Sequence, residues 1–133
     1  MLTFSFCGFY RNFIVQFVID LRHAIVNKCI CVCVAEQLEH ISTNKNGSYV
    51  VEKCLKSEGG ELLLEAFARL SIDKLEGLAM HPRGNYVLQC AIRLDKVLAR
   101  LYVSLYCDVD CKFRCFLMNF NFSENRSLSS VMN

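Results

Sequence analysis

Residues 44–55 read NKNGSYVVEKCL, and residues 81–92 read HPRGNYVLQCAI. Each stretch has a glycine directly before a five-residue block: a small polar residue, an aromatic, two branched aliphatics, then a carboxylate or carboxamide. A third block, NFIVQ, occupies residues 12–16 and lacks the glycine. Ser48 follows Asn12 by 36 positions, and Asn85 follows Ser48 by 37. Recurrence at a period of about 20 to 50 residues is typical of a solenoid that stacks one supersecondary unit.

The composition favours an all-α fold. The 133 residues are 53% hydrophobic and 21% charged, and the single proline and six glycines leave few turn formers for a β-rich protein. We therefore predict an α-solenoid of tandem three-helix repeats. Each repeat has a short first helix, predicted over residues 35–42 and 72–80, then a turn, then the helix that carries the block. The third helix is clearest at residues 61–70, where helix formers run without a breaker.

The predicted repeat boundaries divide the chain into four parts. A partial repeat spans residues 1–34, full repeats span residues 35–71 and 72–106, and residues 107–133 form a poorly ordered tail. The first repeat is partial because too few residues precede Asn12 to form an opening helix. The chain is therefore expected to begin within a repeat.

The cysteine content indicates the cellular compartment, whereas the net charge does not indicate the ligand. A net charge of +2 permits a nucleic-acid partner without indicating one. The nine cysteines are an odd number, and the N-terminal residues lack the basic start of a secretory signal, so we expect a reducing intracellular compartment. The cytoplasm is the predicted location, with the nucleus or nucleolus as alternatives. No apolar run approaches the roughly 18 residues of a membrane span, so no membrane partner is expected.

The sequence provides no recognisable catalytic or metal site. Two cysteine clusters, at residues 29, 31 and 33 and at residues 107, 111 and 115, lack the paired spacing of zinc sites. The histidines form no constellation with a serine or cysteine nucleophile. We therefore predict a protein that is not an enzyme, with no metal, no cofactor and no small-molecule substrate.

Helix geometry divides each block into two faces. Residues i and i+4 share a face, whereas i+1 points about 100° to the side. The first and fifth residues therefore form a polar pair beside the aromatic, and the two aliphatics point toward the core. The predicted polar pairs are Asn12 with Gln16, Ser48 with Glu52 and Asn85 with Gln89; the aromatics are Phe13, Tyr49 and Tyr86; the core residues are Ile14, Val15, Val50, Val51, Val87 and Leu88.

A row of such pairs and rings suits a single-stranded nucleic acid, because rings stack on bases and polar pairs bind base edges. The Glu52 carboxylate only accepts hydrogen bonds, so it complements the ring N–H and amino group of guanine, with Ser48 supplying a further bond. Amides both donate and accept, which fits uracil. Two alternatives stay open: a solenoid that binds a protein through the same aromatics, and a fragment too short to bind RNA, because about three repeats are needed for stability.

The blocks and their flanks resemble those of the Pumilio (PUF) RNA-binding repeats. The resemblance is most specific at residues 44–55 and 81–89, is weaker around Phe13, and covers roughly residues 9–101. It implies one RNA base per repeat, with the first and fifth block residues on the base edge, the second stacking, and the protein antiparallel to the RNA. The Asn85 block would then bind U, the Ser48 block G, and the Asn12 block U.

The implied target is 5′-UGU-3′, recognised by the last three repeats of a truncated family member. The resemblance further implies binding to 3′ untranslated regions of mRNA, and regulation of translation through recruited translation or decay factors. Two features depart from the family pattern. The array is shorter than the usual crescent, and Arg11 stands where the other two blocks have Gly47 and Gly84.

Overall fold

The computed structural model describes residues 8–100, apart from the side chains of Phe9 and Tyr10. Within that range the regular structure is helical, which confirms the predicted all-α class. A further helical stretch, residues 96–100, follows the last complete helix. The complete helices are α1 (Phe9–Asp20), α2 (Ala24–Glu36), α3 (Leu38–Ser42), α4 (Gly47–Leu55), α5 (Gly60–Ala68), α6 (Ile72–Met80) and α7 (Gly84–Leu94).

The helices lie in three rows. The helices that carry the blocks, α1, α4 and α7, lie side by side with α4 in the middle. Behind them α2 packs on α5, and α3 packs on α6. The side chains of Val50, Val51, Val87 and Leu88 are completely buried in the core, as the block pattern predicts. No helix among residues 8–100 is long and apolar enough to cross a membrane.

Equivalent turns start α4 and α7. The Asn44 Oδ1 atom accepts hydrogen bonds from the backbone N–H groups of Asn46 (2.9 Å) and Gly47 (3.0 Å). One repeat later, His81 Nδ1 accepts from the N–H groups of Arg83 (3.1 Å) and Gly84 (3.2 Å). These side chains satisfy backbone donors that helix starts leave without intrahelical partners.

The glycine before each of these blocks is required by close packing. A Cβ atom on Gly47 would lie 2.6 Å from the Ile41 carbonyl oxygen, and one on Gly84 would lie 3.0 Å from the Leu78 carbonyl oxygen. The glycines therefore let each block helix start directly against the preceding short helix, which fixes where the polar pair and the aromatic emerge.

One predicted helix boundary was wrong. The helix predicted over residues 35–42 is split, because α2 continues through Ala35 to Glu36 and the short helix α3 begins only at Leu38. The residues of α2 contain no Gly or Pro that would end it earlier. Gln37 separates α2 from α3, because its backbone angles, φ −127° and ψ 33°, are not helical. The helix predicted over residues 72–80 was confirmed as α6.

The core prediction for Ile14 was also wrong. Its side chain is 62% exposed and that of Val15 is half-buried, whereas the equivalent Val50 is completely buried. The reason is position in the array: α4 has a block helix on each side, but α1 has one on a single side among the described residues. The open side of α1 forms an apolar groove with α2 of about 390 Å³, lined by Ile14, Val15, Val18, Ile25, Val26, Cys29, Ile30 and Cys33.

The predicted tail and the cysteines at positions 107, 111 and 115 lie outside the described residues. The other predicted cluster, Cys29, Cys31 and Cys33, lies on α2, with Cys29 exposed and Cys31 buried. Within residues 8–100, no three His, Cys, Asp or Glu side chains are grouped closely enough to hold a metal ion.

Candidate functional site

The three blocks lie on adjacent helices, because α1 packs on α4 and α4 packs on α7. An ion pair ties two of these helices together: Lys53 Nζ of α4 lies 2.7 Å from Asp20 Oδ2 at the end of α1. The structure therefore brings all nine predicted site residues onto adjacent helices, as three polar pairs and three aromatic rings.

The aromatic rings are the most accessible members of the site. Phe13 and Tyr49 are each 56% exposed and Tyr86 is 63% exposed, although large aromatics are mostly buried in folded proteins. They occupy the same position on successive helices. Exposed rings repeated at this spacing provide flat apolar faces for a ligand with several planar groups.

The polar pair of α1 is bonded internally. Gln16 Nε2 donates a hydrogen bond to Asn12 Oδ1 at 2.8 Å. Asn12 is buried and Gln16 is half-buried, whereas the neighbouring ring of Phe13 is exposed. This bond uses one N–H of the Gln16 amide and leaves its carbonyl and its second N–H. This pair therefore offers both an acceptor and a donor.

The polar pair of α7 has the same internal bond and a further constraint. Gln89 Nε2 donates to Asn85 Oδ1 at 3.2 Å. The Asn85 Nδ2 group donates to the carbonyls of His81 (2.8 Å) and Pro82 (3.0 Å), which uses both of its N–H bonds. Asn85 therefore holds the turn before α7, and Gln89, which is only 8% exposed, has the remaining donor and acceptor of the pair.

The middle pair differs in chemistry. The Ser48 hydroxyl donates to the Lys45 carbonyl at 3.2 Å, so its oxygen lone pairs are the part left for a ligand. Partial burial raises the pKa of the Glu52 carboxyl, and the nearby Lys56 ammonium acts in the opposite direction. In its ionised form the carboxylate accepts hydrogen bonds, as does the hydroxyl oxygen. The centre of the surface is thus acceptor-rich, with amide pairs on either side.

Sequence reasoning missed two features of the site, and the first is the set of side-chain hydrogen bonds made by two turn residues. Asn44 and His81 hold the turns that launch α4 and α7, as shown above, and each lies three residues before the glycine. A side-chain acceptor at that spacing is a known turn signal, so the pattern was available in the sequence. The second is Phe17, which is 65% exposed one turn beyond Phe13. Its repeat equivalents, Lys53 and Cys90, are not aromatic.

Fold and site together define a helical repeat protein whose block helices carry a repeated pattern of polar pairs and exposed aromatic rings. The model of the Pumilio-family RNA binding repeat matches residues 37–62 and 76–94. The chain is 31% identical over 115 residues to pumilio homolog 13 of Arabidopsis thaliana, in a match that covers 80% of this chain and 20% of that protein. Pumilio homolog 9 of the same plant is 30% identical over 102 residues, covering 73% of this chain and 17% of the homolog. No solved structure matches the chain.

The chain therefore belongs to the Pumilio (PUF) family of repeat proteins. It spans about a fifth of the length of the curated relatives it matches. The two matched segments contain the blocks of α4 and α7, including Ser48, Glu52, Asn85 and Gln89. The block of α1 lies outside them.

Proposed function

We propose that this chain binds single-stranded RNA sequence-specifically, with the surface of α1, α4 and α7 facing the bases and 5′-UGU-3′ as the preferred element. The observation that carries the proposal is the order of chemistries along that surface. An acceptor-only pair stands between two amide pairs, and an exposed aromatic ring accompanies each of the three.

Guanine fits the middle pair. Its Watson–Crick edge presents two neighbouring donors, the ring N–H and the amino group, and the Glu52 carboxylate presents two acceptor oxygens. The Ser48 hydroxyl donates to Lys45, which leaves its oxygen able to accept from the same amino group. Adenine has a ring acceptor where guanine has a donor, so it would set a lone pair against the carboxylate. A single good base contact of this kind contributes about 1 to 3 kcal/mol of discrimination.

Uracil fits the two amide pairs. Its edge alternates carbonyl acceptors with a ring N–H donor, and an amide supplies the complementary donor and acceptor. On α7 the Gln89 side chain carries this recognition, since both Asn85 N–H bonds are used within the turn. On α1 the Gln16 amide is the more accessible partner, because Asn12 is buried.

The rings of Phe13, Tyr49 and Tyr86 provide stacking, which is worth about 1 to 3 kcal/mol per base and tolerates any base. Stacking therefore supplies affinity, and the polar pairs supply specificity. The proposed biological role is post-transcriptional regulation. The protein would bind mRNA in 3′ untranslated regions and recruit translation or decay factors in the cytoplasm, with no chemical step of its own.

Fluorescence anisotropy tests the proposal with three labelled RNAs of equal length that contain UGU, contain UAU, or lack both. We expect the full chain to bind the UGU RNA about tenfold more tightly than the UAU RNA. The Ile72→Ala variant is the matched control, because Ile72 is exposed on α6, which is not one of the three block helices. Equal binding of all three RNAs by a chain whose circular dichroism is helical would overturn the proposal.

A further inference from the structure

Phe17 is an exposed aromatic that the three blocks do not explain. It lies four residues after Phe13 on α1 and is 65% exposed. The equivalent positions of the other block helices hold Lys53 and Cys90, and both are half-buried. Among residues 8–100, α1 is therefore the block helix with a second exposed ring in this row. The inference below rests on the proposed RNA function.

The direction in which the Phe17 side chain points can be inferred from Lys53, the residue at the equivalent position of α4. Lys53 reaches from α4 back to Asp20 of α1, with a distance of 2.7 Å between Nζ and Oδ2. This position of a block helix thus points toward the preceding block helix. In α1 the same position is that of Phe17, which therefore points away from α4. Phe17 lies about 40° around the helix axis and about 6 Å along it from Phe13. The exposed Ile14 confirms that this side of α1 is open within the described chain.

The RNA strand crosses that side of α1 under the proposed orientation. With the first U on α7, the G on α4 and the second U on α1, the nucleotide on the 3′ side of the UGU element passes over the edge of α1 that faces away from α4. Phe17 is the exposed ring at that edge. We propose that Phe17 is a stacking platform for this fourth nucleotide.

The platform binds a base without selecting its identity. The helix-surface neighbours of Phe17 on the open side are Ile14 and Leu21, whose side chains carry no hydrogen-bonding group. Asp20 is engaged by Lys53. On Ile14 and Leu21 the base edge therefore meets no donor or acceptor of the kind that the polar pairs provide. Since every base has a flat π face, the ring holds any of the four.

The test uses RNAs that share the UGU element and differ only at the next nucleotide, which carries A, C, G, U or an abasic sugar. By anisotropy, we expect the full chain to bind the abasic RNA about fivefold more weakly than the others, and the four bases to agree within about twofold. Phe17→Leu keeps an apolar side chain without a ring and should abolish the difference. Phe17→Tyr should keep it, as should the control Ile72→Ala on α6.

Two outcomes separate this inference from the proposed function. If the abasic RNA binds as tightly as the others while UGU is still preferred over UAU, the Phe17 platform is overturned and the proposed function stands. A preference of tenfold or more for one base at the fourth position would also overturn it. If UGU and UAU bind alike, both proposals are overturned.

Discussion

Gln89 Nε2 donates a hydrogen bond to Asn85 Oδ1 at 3.2 Å, while Asn85 Nδ2 donates to two carbonyls of the preceding turn. The two amides of α7 therefore have different tasks although they form one pair. Asn85 ties the pair to the turn, and Gln89, which is 8% exposed, keeps the donor and the acceptor that the turn does not use. This division predicts different effects for substitutions at the two positions.

Gln89→Ala should reduce the preference for U over C at the first base by about tenfold, because it removes the remaining donor and acceptor. Asn85→Ala should change that preference less and should instead lower the free energy of unfolding by about 1 kcal/mol, through the lost bonds to the turn. Anisotropy with UGU and CGU RNAs and urea unfolding measure the two effects. The division of roles is refuted if Asn85→Ala removes the U preference without destabilising the fold.

Two glycines should respond to alanine with opposite signs. A Cβ on Gly60 would overlap the carbonyl oxygen of Leu55, whereas a Cβ on Gly77 would meet no atom within 4 Å. We expect Gly60→Ala to lower the free energy of unfolding by about 2 kcal/mol. Gly77→Ala lies inside α6 and should raise it by about 0.5 to 1 kcal/mol. Denaturant unfolding of both variants checks the packing between α4 and α5, and a stable Gly60→Ala protein would contradict it.

The ion pair between Lys53 and Asp20 should contribute little to stability. Their side chains are 34% and 58% exposed, and water and salt screen pairs of this kind. A double-mutant cycle with Lys53→Met and Asp20→Asn is expected to give a coupling energy of about 0.2 to 1 kcal/mol that decreases with added salt. A coupling unaffected by salt would show that the pair is more shielded from solvent than these exposures indicate.

The pH dependence of stability follows from Glu52. Because burial raises the pKa of this carboxyl above its ordinary value, the folded chain holds the proton more tightly than the unfolded chain. Protonation of Glu52 stabilises the folded chain fully when the pH is below the pKa of this carboxyl in the unfolded chain. The stabilisation is lost as the pH rises through the higher pKa of the folded chain. Glu52→Gln mimics the protonated group, so its stability relative to wild type should increase between about pH 4 and about pH 7. Thermal melts at both pH values test this, and a pH-independent difference would contradict it.

The repeat predicted much of this structure because its signals are local. Period, turn residues and block chemistry were enough to place α4, α6 and α7 and to bury Val50 and Val87. The end of α2 was missed because it depends on one residue, Gln37, that carries no strong breaker signal. Ile14 was missed for a different reason. Ile14 has the residue type and the block position of a core residue, but its exposure depends on which elements lie beside α1.

The site shows the same contrast. Residue types and spacing predicted the polar pairs and the rings, and the structure places them on neighbouring helices. The commitment of both Asn85 N–H bonds to the turn depends on the path of residues 81–84, which spacing alone does not specify. The direction of Phe17 likewise depends on which side of α1 faces α4, and that is a tertiary property.

The most direct test of the central claim compares UGU and UAU RNAs for wild type and Glu52→Gln at neutral pH. The exchange keeps the size of the side chain and replaces one acceptor oxygen by a donor group. Wild type should prefer UGU by about tenfold, and Glu52→Gln should bring the ratio of the two dissociation constants close to one. An unchanged preference for UGU in a folded Glu52→Gln protein would contradict the claim that the carboxylate on α4 recognises guanine.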